Sequence, residues 1–383
     1  MAVDRRWMLG ALASASISAR AGTPSDDWPG RAATALVEQR RSSFPVATRV
    51  LDVNWYEPRA PVAGDAQARG PQHTSSDPRL VAALARAEAG GRYAFLVWQD
   101  GALLAEDYAP GLGPDRLFDT ASMHKTVLAL LIGAAVADGL IGSVDAPLGK
   151  FLSGLSADRA RIPLRALLEM ASGIRTPDAT PDPGSAYWQA TFGDDLRGAI
   201  DRWPLTRRPY EAFAYANANS QYLGFVIQAA TGRRYADYLS DRLWKPLGAG
   251  DARLWLDRPG GMARTASSLQ ATARDWLLVG RLLIDRGIAQ GRMLVPPEWV
   301  DGMTAPSRCN PAFGWHVWRG SPHQPLRGYG EGVTATVRAS APLIAEDTIF
   351  LDGSGGQRLY VVPSHRLVIV RIGRPDPDYD DSE

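Results

Sequence analysis

The sequence is poor in the residues that usually carry metal or redox chemistry. It has one cysteine, Cys309, so no disulfide can close within the chain. That thiol lies among Pro306, Ser307, Asn310 and Pro311, a loop composition, and reads as incidental. The five histidines, His73, His124, His316, His323 and His365, show no ligand spacing with Cys, Asp or Glu on one element, which argues against a zinc hydrolase. No metal or other cofactor is expected. A surplus of one charge is missing too: 42 Lys and Arg face 41 Asp and Glu, a net charge of +1. With no basic run interleaved with aromatics, nucleic acid is not expected as a partner. No second segment approaches the ~18 apolar residues of a membrane span. The nearest, from Val127 to Leu140, contains Asp138 and small residues and reads as a buried core helix. Lysine is scarce as well, with only Lys125, Lys150 and Lys245.

What is present fits a globular protein. The 383 residues are 45% hydrophobic and 22% charged, enough for one large domain or two smaller ones. Residues 1–21 have the form of a signal peptide: Arg5-Arg6, an apolar run from Trp7 to Leu12, and Ala19-Arg20-Ala21 as a cleavage site. The arginine pair with Trp7 and Leu9 points to twin-arginine export, general secretion being the alternative. A periplasmic or secreted location is therefore expected. Residues 22–80 are rich in Pro, Gly, Ala and Arg, with a helical patch near Ala32 to Arg40, and read as an extension wrapped on the main domain of 81–383.

Ser76 or Asp77 should cap a helix reaching about Ala89, followed by strands at 93–98 and 102–106 joined by an Asp100-Gly101 turn. From about 120 to 283 the pattern is mostly helical, with segments at 122–139, 163–171, 193–202, 218–231, 235–243 and 269–287. Strands return at 314–318, 358–362 and 367–372. Strands at both ends with helices between predict an α+β fold, its antiparallel sheet shared by the two terminal segments and a helical region inserted.

The candidate chemistry starts at Ser122-Met123-His124-Lys125, at the mouth of the long apolar helix. Asp119 or Thr120 would cap that helix and put Ser122 in its first turn, with Lys125 on the same face. A serine hydroxyl needs a base within hydrogen-bond reach, and a lysine serves once burial lowers its pKa. A lysine in so apolar a stretch of a lysine-poor chain weakens the alternative of a solvated helix face, but on this motif alone the two readings stay level. Tyr215-Ala216-Asn217 opens a second helix and offers a proton relay and an orienting amide, although a core tyrosine and a capping asparagine are the plainer reading of those residues alone. Gly353-Ser354-Gly355-Gly356-Gln357 leads into a strand and can present a free backbone N–H as half of an oxyanion hole, although an ordinary glycine-rich loop would look the same.

In this order the three elements resemble the serine β-lactamase, penicillin-binding-protein and esterase superfamily, over residues 80–373. Leu164 to Gly173, Leu223 to Gly232, Trp244-Lys245-Pro246-Leu247-Gly248 and Ala271 to Asp275 strengthen the resemblance. The chain departs from it at Leu351-Asp352-Gly353, where β-lactamases carry Lys-Thr-Gly, and this counts against β-lactam cleavage. The Gly-x-Gly-Gly-Gln form and the stretch Pro375-Asp376-Pro377-Asp378 are more similar to 6-aminohexanoate-oligomer hydrolases and related carboxylesterases. The resemblance implies a β-lactamase/transpeptidase-like fold and an acyl-enzyme. In it Ser122 is nucleophile, Lys125 base and Tyr215 proton relay; Asn217 orients Lys125 or substrate, and the N–H groups of Ser122 and Ser354 hold the oxyanion. Gly353, Gly355, Tyr187, Trp188 and Trp315, with Trp318, are the expected pocket residues. The expected substrate is a small ester or amide. A D-amino-acid peptidase, or a penicillin-binding-type sensor with little turnover, is the alternative.

Overall fold

The computed structural model describes residues 28–66 and 76–382, so the expected signal peptide lies outside the described residues. The principal sheet has six antiparallel strands: β1 (Arg92–Gln99), β2 (Ala102–Tyr108), β3 (Trp318–Arg319), β4 (Ile349–Gly353), β5 (Gln357–Val362) and β6 (Leu367–Gly373), in the order β2-β1-β6-β5-β4-β3. Chain-terminal segments thus meet at its centre, with Val368 opposite Trp98. The β1–β2 turn runs through left-handed Asp100 and Gly101, as an Asp-Gly hairpin requires.

A second, four-stranded sheet lies in the order Arg59–Val62, Ala252–Trp255, Leu269–Ala271, Phe118–Asp119. Helix α1 (Trp28–Ser43) packs on the segment Ala186–Phe192 through a cluster of Val37, Tyr56, Trp188, Phe192 and Trp255. The stretch after it adds an edge strand by pairing Arg59–Val62 with Ala252–Trp255. Helix α2 (Pro78–Ala89) begins at Asp77, whose carboxylate accepts from the Arg79 N–H at 2.8 Å.

Helix α3 (His124–Ala137) is buried along nearly its whole length, which is why its sequence is apolar all round rather than on one stripe. It packs against α4 (Asn217–Thr231). Helix α5 (Ala273–Ile284) lies on strands β1, β5 and β6. The architecture is α+β with mixed helices and antiparallel sheets.

Two expected elements differ. The helix expected over 269–287 starts only at Ala273: Thr272 and Asp275 form a reciprocal capping box, and Leu269–Ala271 before it is a strand. The strand expected over 314–318 is reduced to Trp318 and Arg319. His316 is left-handed (φ 56°), which turns its carbonyl onto the Thr126 hydroxyl at 2.6 Å.

Candidate active site

The nucleophile candidate sits on a strained turn. Strand Phe118–Asp119 ends as the Asp119 carboxylate accepts from the Ala121 N–H at 2.9 Å, and Ala121 is left-handed with φ 51°. For a residue with a Cβ this costs on the order of 1 kcal/mol. A single 3₁₀ turn, Ala121–Met123, carries Ser122 into α3. Of the two expected caps, Asp119 makes the bond and Thr120 makes none from its side chain; the α-helix proper begins two residues later than expected, at His124. The end of β4 passes directly over this turn. A Cβ on Gly353 would lie 2.2 Å from the Thr120 carbonyl oxygen, so only glycine permits the approach. That contact brings Ser354 beside Ser122.

Lys125 is 2% exposed. Its Nζ donates to Ser122 Oγ at 2.9 Å and to the Ala266 carbonyl, and lies 5.0 Å from the centre of the Tyr215 ring. No carboxylate makes an ion pair with it among the described residues. Burial therefore pulls its pKa from 10.5 down to about 7, against the weaker opposing pull of Asp352. The neighbouring histidines take no part in this. His124 donates from Nδ1 to the Ser267 carbonyl at 2.7 Å and accepts at Nε2 from Tyr235 at 3.0 Å. His316 donates from Nδ1 to the Leu168 carbonyl at 2.9 Å and accepts at Nε2 from Ser220 at 3.0 Å. Burial holds them neutral, at about 4 and about 3 respectively.

Tyr215 lines the cleft together with Ser122, and burial, helped by Asp352, raises its pKa above the usual phenol value. Its ring stacks on Trp318 at 5.9 Å and meets Tyr329 edge-on at 5.2 Å. Asn217 is the first residue of α4 and lies exposed in the cleft; it makes no hydrogen bond to Lys125, so of its two expected roles only contact with substrate is open to it. Gly355 and Gly356 are left-handed (φ 83° and 77°), which turns the chain sharply after the exposed Ser354. The Ser354 carbonyl is taken by Arg49, whereas the N–H groups of Ser122 and Ser354 are claimed by no other protein group among the described residues.

These residues open on a cleft of about 540 Å³. Ser122, Tyr215, Asn217, Ser354, Gly355 and Tyr187 line it. Gly353 is buried behind it against Thr120. Trp188 and Trp315 do not reach it. Trp188 is buried in the α1 cluster with Nε1 donating to the Thr180 carbonyl at 2.8 Å, and Trp315 packs edge-on against Trp299 at 4.9 Å. Trp318 forms a second layer beneath Tyr215. The sequence reading passed over Tyr329, Tyr379 and residues 333–337 of the opposite wall.

It also passed over a buried ring of four charges behind the cleft. Asp352 accepts from Arg358 at 2.6 Å, Arg327 at 2.9 Å and the Tyr329 hydroxyl. Asp381 accepts from Nε and NH2 of Arg358, both at 2.7 Å, and from NH2 and Nε of Arg327 at 2.8 and 3.0 Å. All four are at least 95% buried. Burial would raise Asp352, but Arg358 and Arg327 outweigh it and hold that carboxyl below its ordinary value. Burial would likewise lower both guanidiniums, and the adjoining acidic groups hold them above theirs. The Asp352–Arg358 half was readable, since a Ser-Gly-Gly turn that pairs Gly353 with Gln357 pairs Asp352 with Arg358. Nothing local marked Arg327 or Asp381. The negative charge of Asp352 is thus matched by two guanidiniums, and Leu351 is buried in the core. Arg358, the cation lining the cleft, is already committed to carboxylates.

Among the described residues no cluster of three or more His, Cys, Asp and Glu occurs that could hold a metal, and no helix is long and apolar enough to cross a membrane.

A sequence model of the family described as Beta-lactamase matches residues 79–374. A 6-aminohexanoate-dimer hydrolase of Paenarthrobacter ureafaciens is 29% identical over 225 residues, 55% of this chain and 57% of that protein. The match therefore spans little more than half the length of that relative. A solved structure described as a putative 6-aminohexanoate-dimer hydrolase from Bacillus anthracis superposes with a TM-score of 0.70 at 19% identity, covering 90% of each chain. A penicillin-binding protein homologue from Caulobacter crescentus superposes with a TM-score of 0.58 at 17% identity, covering 81% of this chain and 96% of the other.

Proposed function

Because the chain belongs to the Beta-lactamase family, we propose that it is a serine hydrolase that cleaves a small linear amide or ester through an acyl-enzyme on Ser122. Neutral Lys125 takes the hydroxyl proton as Ser122 Oγ attacks the carbonyl carbon. The N–H groups of Ser122 and Ser354 receive the developing oxyanion, where fixed donors in a dry site act most strongly. Tyr215, beside the serine in the cleft, gives its proton to the departing amine or alcohol, recovers one from the lysine protonated in the first step, and then helps a water attack the ester left on Ser122. Asn217 and Tyr187 contact the substrate along the cleft. The observation that carries this reading is the 2.9 Å contact of Lys125 Nζ with Ser122 Oγ, with no carboxylate in ion-pair contact with the lysine among the described residues.

The substrate follows from what the cleft offers. Its walls are mostly tyrosines and small residues, with Asn217, Asp352 and Asp376, and its arginine is spent. A β-lactam carboxylate finds no free cation among the described residues of the cleft, which costs it roughly ten- to a hundredfold in binding. A relative named for an aminohexanoate dimer supports an amide. The test is a panel of p-nitrophenyl acetate and butyrate, linear aminohexanoate oligomers, D-peptides and a chromogenic cephalosporin, with intact mass of the trapped enzyme. The expected result is multiple turnover of esters or linear amides with an adduct on Ser122. Faster cephalosporin turnover by kcat/KM would overturn the substrate assignment; one slow acylation without turnover would make the chain a sensor. Export is proposed on the residues of 1–21 alone, and N-terminal sequencing of the mature protein should start near Gly22.

A further inference from the structure

The segment after β6 turns back along the cleft and buries Asp380 and Asp381 near the end of its described course. Its Asp381 N–H donates to the Arg338 carbonyl at 2.7 Å, and its carbonyl accepts from the Tyr360 hydroxyl at 2.9 Å. Its carboxylate closes the ring of charges between Arg327 and Arg358. Arg327 belongs to the hairpin of Leu326–Gly328 with Thr336–Arg338, whose connecting residues form one wall of the cleft. Arg358 is the second residue of β5 and also donates to the Gly353 carbonyl at 3.1 Å, next to the proposed oxyanion N–H of Ser354. We propose that Asp381 is a positioning residue for the serine–lysine pair: it clasps the cleft wall to the oxyanion strand and balances the charge around Asp352, the carboxylate that faces Lys125.

The balance matters because the ring is closed. Two arginines and two aspartates sum to zero, and each guanidinium bridges both carboxylates. Remove one member and a full charge is left in a low-dielectric region, where it reaches further than in water. The titratable groups facing Lys125 are His124 on its own helix, Tyr215, His316 and Asp352. Both histidines are neutral above about pH 5, and Tyr215 stays protonated. Of these groups, Asp352 is the one that carries charge through the neutral range, so the ring that holds it sets the field on the lysine.

This inference rests on the reading of Lys125 as base, and the experiment separates the two. The acid limb of the kcat/KM–pH profile is measured for the wild type, Lys125→Arg, Asp381→Asn, Arg327→Gln and the double variant of Asp381→Asn with Arg327→Gln. Asp381→Asn leaves an extra positive charge and should move the limb down by about half a pH unit; Arg327→Gln leaves a negative one and should move it up by about as much. The double variant restores neutrality and should return the limb to its wild-type position, even though its packing is damaged twice. Opposite shifts cancelled in the double variant are what a purely structural role cannot give. If either single variant fails to fold, the double variant and Asp381→Glu, which keeps the charge, carry the test, and a displaced limb in either overturns the proposal. Single variants that lose rate with unmoved limbs also overturn it. A limb that survives in Lys125→Arg would instead sink the reading of Lys125 as base.

Discussion

Two buried regions lie side by side in this molecule and treat positive charge in opposite ways. Lys125 is enclosed with a hydroxyl, a carbonyl and a tyrosine face for company, and its pKa falls to about 7. Arg327 and Arg358 are enclosed as completely, but each meets two carboxylates, and both are held above their ordinary values. Burial is common to the two regions, so burial does not decide the outcome; the presence of a carboxylate in contact does. The first region is suited to accepting a proton, the second to fixed charge and fixed geometry.

The sharpest way to break this comparison is to exchange the cations. Lys125→Arg keeps the charge and removes the ability to lose a proton. It should lower kcat by about a thousandfold or more, as should Ser122→Ala. Both should keep a cooperative thermal transition. Wild-type-like turnover in Lys125→Arg would show that the residue supplies charge only. The converse exchange, Arg358→Lys, keeps the ring neutral but cannot satisfy two carboxylates and two carbonyls at once. It should cost about 3 kcal/mol in urea unfolding while the folded fraction stays active within about tenfold. Unchanged stability would mean that the ring is not rigid.

A third test uses pH. Activity should rise through about pH 7 as Lys125 loses its proton. The stability consequence has a definite sign. The native lysine releases its proton near 7 and the unfolded one near 10.5, so between those values the unfolded chain binds more protons and this residue's contribution to stability rises with pH. Lys125→Met should therefore be more stable than wild type below pH 7, with the gap narrowing toward pH 10; a gap independent of pH would refute the depressed lysine. The smallest effect contrasts two adjacent aromatics. Tyr187→Ala should raise KM a fewfold with little change in melting temperature, and Trp188→Phe should cost about 1 kcal/mol of stability with unchanged KM. The reverse pattern would place Trp188 in the cleft.

The parts of the site legible in the sequence are those made by neighbours in the chain. Ser122 and Lys125 are one turn apart, Tyr215 and Asn217 open one helix, and Ser354 to Gly356 make one tight turn. The fold class was legible for a similar reason, since strands at both ends leave a sheet as the place for them to meet. Trp188 and Trp315 were misassigned because a core aromatic and a pocket aromatic have the same local sequence, and only packing separates them. Arg327 and Asp381 gave no sign because an exposed charge and a buried one are written alike; each is tolerable in the interior only through partners far away in the chain. His316 misled in a different way: apolar neighbours announced a strand, but its backbone bends to reach Thr126.

The close passage of Gly353 over the Thr120 carbonyl has one more consequence. The two N–H groups that would receive the oxyanion hang from different sheets: Ser122 follows a strand of the four-stranded one, and Ser354 follows β4 of the six-stranded one. Neither sheet alone can cradle a reacting carbonyl. The catalytic apparatus comes into being only when the two halves have docked, so a partly assembled chain is chemically silent and the first turnover certifies that folding is complete.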